Sequence, residues 1–194
     1  MRPPTIYLSL VCTVSSSLGN ADCTLEFANV LEQFESGFYQ AGIAKFQDTD
    51  FEQAGFTSPT LIQQQLTVFQ SDESTHATIL ASILQSFSSS PISGCSFSFD
   101  SALTDVSTMA ATARIVEFVG VSAYLGGATL LDDPVLLDDA ASILTVEARH
   151  STMLNILSGT GSAVPQAFDI PLTPSEVLAV ASPFISGCDV GIPG

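Results

Sequence analysis

The sequence contains two histidines, and each stands three residues after a glutamate. Glu73 and His76 lie within Asp72-Glu73-Ser74-Thr75-His76-Ala77, and Glu147 and His150 bound Glu147-Ala148-Arg149-His150. On a helix this spacing places a carboxylate and an imidazole on one face, one turn apart. Two further glutamates, Glu32 and Glu117, each precede a tyrosine by seven residues, Tyr39 and Tyr124. Read in order, the chain offers Glu, Glu-x-x-His, Glu, Glu-x-x-His. Carboxylate-rich sets with one imidazole per ion suit iron or manganese, and zinc can occupy them too.

That order is the ligand set of carboxylate-bridged di-iron and di-manganese four-helix bundles. It assigns Glu32 and Glu117 as terminal or bridging carboxylates, Glu73 and Glu147 as bridges, and His76 and His150 as the imidazoles, one for each of two metal ions. Tyr39 and Tyr124 are either core aromatics or hydrogen-bond donors that orient the ligands. Glu35 breaks the symmetry, because its counterpart in the second half is Gly120. It is open between an extra ligand or proton acceptor and a solvated residue at the edge of the apolar stripe. Arg114 and Arg149 lie beside ligand glutamates, as outward ion pairs or as contacts behind the ligands.

Four helices must position these residues. The first is expected from a cap at Asp22 to about Phe46, with the stripe Leu25, Ala28, Glu32, Glu35, Tyr39, Gly42, Phe46. A loop with Asp48, Asp50 and Gly55 follows. Ser58-Pro59 opens the second helix, with Ile62, Leu66, Phe69, Glu73, His76, Leu80, Ile83 and Phe87 on its stripe. The third carries Val106, Ala110, Ala113, Glu117, Gly120, Tyr124, Gly127 and Leu131. Asp133-Pro134 opens the fourth, with Leu136, Ala140, Ile143, Glu147, His150, Leu154 and Leu157, ending at Gly159. All six candidate ligands fall on inward stripes, where carboxylates are costly unless they are paired or bound to a cation.

Short loops make hairpins of helices 1–2 and 3–4. The link from 88 to 100 can span roughly 40 Å if extended, enough to cross the bundle lengthwise. Thr173-Pro174-Ser175-Glu176 is a capping box that opens a short fifth helix to about Phe184. The expected fold is therefore all-α: a four-helix bundle over 22–160 with a long crossover between helices 2 and 3. It is preceded by an N-terminal segment (1–21) and followed by a linker, short helix and tail (161–194).

The net charge of −16 reflects a shortage of bases, which are Arg2, Lys45, Arg114 and Arg149 alone. Such a chain cannot neutralise a phosphate backbone or an anionic membrane surface, which excludes nucleic-acid and membrane-surface partners. No run reaches the ~18 continuous apolar residues of a membrane span. Charged residues make up 12% and apolar ones 46%, a balance more common in exported proteins. Met1 to Asn20 has one basic residue, a short apolar stretch and small polar residues, like a secretory signal; the alternative is a retained segment packed on the bundle. Cys95 and Cys188 share an Ile-Ser-Gly-Cys context outside the bundle helices. A disulfide between them would imply an oxidising compartment, and two buried thiols are the alternative.

Leu31-Glu32-Gln33-Phe34-Glu35-Ser36-Gly37-Phe38-Tyr39 and Asp72-Glu73-Ser74-Thr75-His76-Ala77 resemble the ferritin-like domain of fungal stress-response and plant desiccation-related proteins. That domain's motifs read Leu-Glu-x-Leu-Glu-x-x-Phe-Tyr and Asp-Glu-x-x-His. The resemblance spans about 22–160. It implies a ferritin-like four-helix bundle with a dinuclear site, and secretion, but no defined activity. Two function classes follow. One is a redox-active or metal-handling di-metal protein, an oxidase or peroxidase in enzymatic form. The other binds a small apolar ligand, a pigment or lipid, among Phe27, Phe34, Phe38 and Phe69, with room left by Gly120, Gly126 and Gly127. A homodimer through an apolar helix face is the expected assembly.

Overall fold

A computed structural model describes residues 20–159 and 161–193; the reading of the N-terminal segment up to residue 19 lies outside them. The helices are α1 (Asn20–Lys45), α2 (Asp48–Gln53), α3 (Pro59–Ser86), α4 (Val106–Gly127), α5 (Pro134–Leu157) and α6 (Pro174–Ala181). Two short strands, β1 (Ser96–Phe97) and β2 (Ile185–Ser186), pair antiparallel outside the helical stripes.

The helix starts are set by local chemistry. Asp133 caps α5, accepting from the backbone N–H groups of Val135 and Leu136, with Pro134 at the first position. Asp105 caps α4 by accepting from Thr108 N. Thr173 and Glu176 close the reciprocal bonds of a capping box at α6. Ser58 precedes Pro59 at the start of α3, but its side chain makes no capping bond. Asp22 is not the cap of α1: it lies within the helix, which already includes Asn20, and it is buried. The expected loop around Asp48 and Asp50 contains α2, anchored by Phe51 at 1% exposure. α4 ends before Leu131, which follows a single 3-10 turn.

Cross-helix bonds give the helix directions. Asn29 donates to Ala77 O and Gln70 to Ser36 Oγ, so α1 and α3 are antiparallel. Tyr39 reaches Glu117 and Tyr124 reaches Glu32, so α1 and α4 are antiparallel as well. α3 and α4 therefore run parallel, and the 87–105 connection must cross the bundle lengthwise. His150 faces Asp72 while His76 faces Glu147, which sets α5 antiparallel to α3. The main pairings are α1 with α3 and α4 with α5.

The crossover is held where it meets the C-terminal segment. Ser96 pairs with Ser186 and Phe97 with Ile185, and a disulfide joins Cys95 to Cys188 with Cα atoms 4.6 Å apart. The shared Ile-Ser-Gly-Cys context has a physical reason. Gly94 and Gly187 have φ of +81° and +80°, and a Cβ on Gly187 would lie 2.6 Å from Gly94 O. Only glycine permits both the left-handed backbone and the close approach.

Apolar packing divides the bundle. At one end, Phe34, Phe38, Tyr39, Phe46, Phe69 and Phe99 form an aromatic core with Leu66, Met109 and Leu154. At the other, Leu25, Leu80, Leu84, Leu131, Leu136 and Ile143 form an aliphatic one. α6 seats Val177 and Ala181 against Phe27, Val30, Leu31 and Val119. Among the described residues, one segment, Val106–Leu130, is long and apolar enough by composition to cross a membrane, although it contains no unbroken apolar run of that length. Half of its most apolar stretch is buried inside the protein, and it carries Glu117, as expected of a core helix in a bundle.

Candidate metal centre

Midway between the two cores, four helices each project a glutamate onto one point. Glu32 (α1), Glu73 (α3), Glu117 (α4) and Glu147 (α5) are at most 1% exposed. His76 and His150, one turn beyond Glu73 and Glu147, are buried beside them. His76 Nδ1 lies 3.1 Å from Glu32 Oε2, 3.1 Å from Glu73 Oε2 and 3.3 Å from Glu147 Oε1. His150 Nδ1 lies 2.8 Å from Glu73 Oε1 and 3.4 Å from Glu117 Oε2.

These atoms form two overlapping groups. Glu32, Glu73, His76 and Glu147 make one, and Glu73, Glu117, Glu147 and His150 the other; within each, donor atoms lie within 4.8 Å of one another. Glu73 and Glu147 belong to both. Glu73 Oε1, Glu117 Oε2, both Glu147 oxygens and His150 Nδ1 are fully buried without a hydrogen bond. The 2.8 Å contact between His150 and Glu73 is thus an ion-pair distance without hydrogen-bond alignment. Buried polar atoms left unsatisfied in a native fold need a reason, and donors converging on a cation provide one. Four carboxylates with neutral imidazoles carry −4, which two divalent cations would balance.

The protonation of the metal-free cluster shows the same strain. Burial raises Glu32 to about 8, opposed by its bond to His76. Burial, and then the neighbouring glutamates, push Glu35 and Glu147 well above the usual carboxylate range. Burial also raises Glu117, against the pull of His150. For Glu73, burial is outweighed by the close imidazoles of His150 and His76, and the group falls to about 2. Burial lowers His76, but contacts with Glu147, Glu32 and Glu73 overcome it and carry the imidazole to about 12. His150 is likewise pulled down by burial and carried to about 11 by Glu117 and Glu73. The cluster thus holds protons in the places a cation would take.

The supporting residues differ from expectation in instructive ways. Tyr39 donates to Glu117 and Tyr124 to Glu32, each across the bundle and not to the glutamate on its own helix. Glu35 is not a solvated edge residue. It is 3% exposed and occupies space left by Gly120, where a Cβ would lie 3.1 Å from Glu35 Oε1 and 2.7 Å from Glu147 Oε2. Arg149 is exposed, Arg114 is half-buried, and among the described residues neither pairs with the ligand carboxylates. Asp72, which is not among the residues expected at the site, also belongs to it. Its Oδ2 lies 3.1 Å from His150 Nε2, where it orients the ring, while Phe69 packs on the same ring at 4.2 Å between centroids. The signal was its place at the head of the Asp-Glu-x-x-His motif. The equivalent position on α5 is Val146, so no carboxylate at that position faces His76 among the described residues.

A bundle of two antiparallel hairpins joined by a lengthwise crossover, with a buried Glu/His cluster at its centre, defines a ferritin-like protein. The chain belongs to the ferritin-like domain family, whose model matches residues 22–160. No curated protein matches the chain at a significant level.

Proposed function

We infer that the protein is a dinuclear metal-carboxylate protein of redox-active or metal-handling type. The observation that carries this is the pair of four-residue groups sharing Glu73 and Glu147. In this reading two ions would be held by the two groups that share Glu73 and Glu147, one with Glu32 and His76 and the other with Glu117 and His150. Iron and manganese suit such a donor set, with zinc a competitor. When bound, a redox-active pair supplies electron transfer and activation of dioxygen or a peroxide. The chain's own part is to hold the carboxylates in place through Tyr39 and Tyr124, orient His150 through Asp72, and exclude bulk water.

Within the family, the motifs at Leu31–Tyr39 and Asp72–Ala77 support a place beside stress-response and desiccation-related members. The Cys95–Cys188 disulfide and the signal-like N-terminal composition support export. Anaerobic titration of metal-free protein with iron(II) tests the reading. The expected endpoint is two ions per chain, falling to one in His76→Ala and in His150→Ala and unchanged in the exposed Glu52→Ala. An endpoint of zero in the native chain would refute it.

A further inference from the structure

The two faces of the metal centre are not alike. On the α2 side, Tyr39 is sealed at 2% exposure against Phe38 and Phe69. On the other side, the equivalent Tyr124 is half-buried and lines a cavity of about 240 Å³. The floor of that cavity is the site itself: Glu32, Glu35, His76, Tyr124 and the bare backbone of Gly120. Its walls are mostly aliphatic, among them Leu25, Leu80, Ile83, Leu131 and Ile143, with Phe27 as the one phenylalanine. Leu172, Pro174 and Val177 of the C-terminal segment cover one flank, and the exposed Ile79, Asp139 and Ser142 mark its mouth. Of the four aromatics expected to line an apolar site, Phe27 does line this cavity, while Phe34, Phe38 and Phe69 are packed into the opposite core. Gly126 is closed off by Leu172 O, which lies 2.0 Å from where its Cβ would be.

We propose that this cavity binds one uncharged, unbranched aliphatic molecule, an alcohol, aldehyde or hydrocarbon, with its inner end against the metal pair. The proposal rests on the dinuclear reading for the role of that inner end. The aliphatic lining selects for hydrocarbon. Charge selects against a fatty-acid anion: no lysine or arginine lines the cavity, while Glu32 and Glu35 lie at its floor and Asp139 at its mouth. No basic side chain lines the cavity to pair with a carboxylate head, which at the mouth would meet Asp139. On α1 the lining runs from Thr24 to Glu35. That is roughly 16 Å at the helical rise, or about a dozen carbons at roughly 1.2 Å per bond of an extended chain. A hydroxyl at the inner end can donate to Glu35, the one carboxylate there outside both four-residue groups.

The test uses the full chain, metal-free and loaded with cobalt(II), with dodecan-1-ol and dodecanoate as probes at pH 8. Binding is read by displacement of a neutral naphthylamine fluorophore, in a protein that has no tryptophan. Dodecanol is expected to displace it at least tenfold more tightly than dodecanoate, and to shift the cobalt absorption bands on binding. Ala28→Phe, which fills the cavity, should abolish displacement. Ile83→Ala, which enlarges it, should move the preferred chain length upward, and its cobalt content reports that the bundle is intact. Equal affinity for alcohol and carboxylate, or an unmoved cobalt spectrum with dodecanol bound, would overturn the proposal. Loss of dodecanol binding with two cobalt ions still present refutes the cavity and spares the metal centre. Dodecanol binding by a chain that takes up no cobalt when cobalt is offered refutes the metal centre and spares the cavity.

Discussion

The Tyr39 hydroxyl donates to Glu117 on α4, and not to Glu32 on its own helix. Seven residues along a helix is about 10.5 Å, beyond the reach of a tyrosine and a glutamate that both lean toward the N-terminus. An antiparallel neighbour brings Glu117 opposite, and Tyr124 returns the same bond to Glu32. Each hairpin therefore orients a carboxylate of the other, so the centre exists only when both are docked.

This crossing makes the two tyrosines separable. Tyr39→Phe frees Glu117 and should weaken the ion on the His150 side, while Tyr124→Phe frees Glu32 and should weaken the one on the His76 side. The expected loss is about 10- to 100-fold in affinity for one of the two ions. Two-step titration calorimetry reads it, and a uniform loss at both steps in either variant would contradict the assignment.

The pH dependence of the metal-free protein has a defined sign. Glu32, Glu35, Glu117 and Glu147 are raised above 4.5, and His76 and His150 above 6.5, in the folded state. The folded chain then binds more protons than the unfolded one, so stability falls as pH rises. Their contribution is complete below the unfolded values and is lost as pH climbs through the folded ones, Glu32 near 8 and the imidazoles near 11 and 12. Glu73 acts oppositely: its contribution holds above 4.5 and is lost on acidification toward 2. Between pH 5 and 9 the metal-free Tm should fall. Metal binding displaces the protons, so the gap between loaded and metal-free Tm should widen over that window. A gap that narrows with rising pH would contradict the account.

Much of this was legible because burial costs impose regular patterns. Carboxylates at Glu32, Glu73, Glu117 and Glu147 on apolar stripes had to face a common interior, and Pro59 and Pro134 announced their helices. What was hidden depended on contacts between distant segments. Glu35 looked like an edge residue because only the opposing helix shows that Gly120 makes room for it. The 48–53 segment carried turn-like aspartates, yet Asp50 Oδ2 accepts from Gln47 N at 2.7 Å and Phe51 anchors a helix there. β1 and β2 are two residues each, too short to carry any alternation. The cavity arises from the difference between two chemically similar apolar ends, one aromatic and filled, one aliphatic and not.

The Cys95–Cys188 link closes 93 residues, and in the chain-entropy model its loss costs about 3–5 kcal/mol. It joins the crossover to the C-terminal segment and touches no candidate ligand. A Cys95→Ser, Cys188→Ser variant should therefore melt at lower temperature while keeping two ions per chain. Metal loss at temperatures where the variant remains folded would show that the crossover helps shape the centre.

The most direct measurement is anomalous diffraction at the iron or manganese absorption edge from crystals of metal-loaded protein. The account predicts two peaks, both contacting Glu73 and Glu147, one also contacting Glu32 and His76 and the other Glu117 and His150. A single peak, or peaks away from these residues, would contradict it.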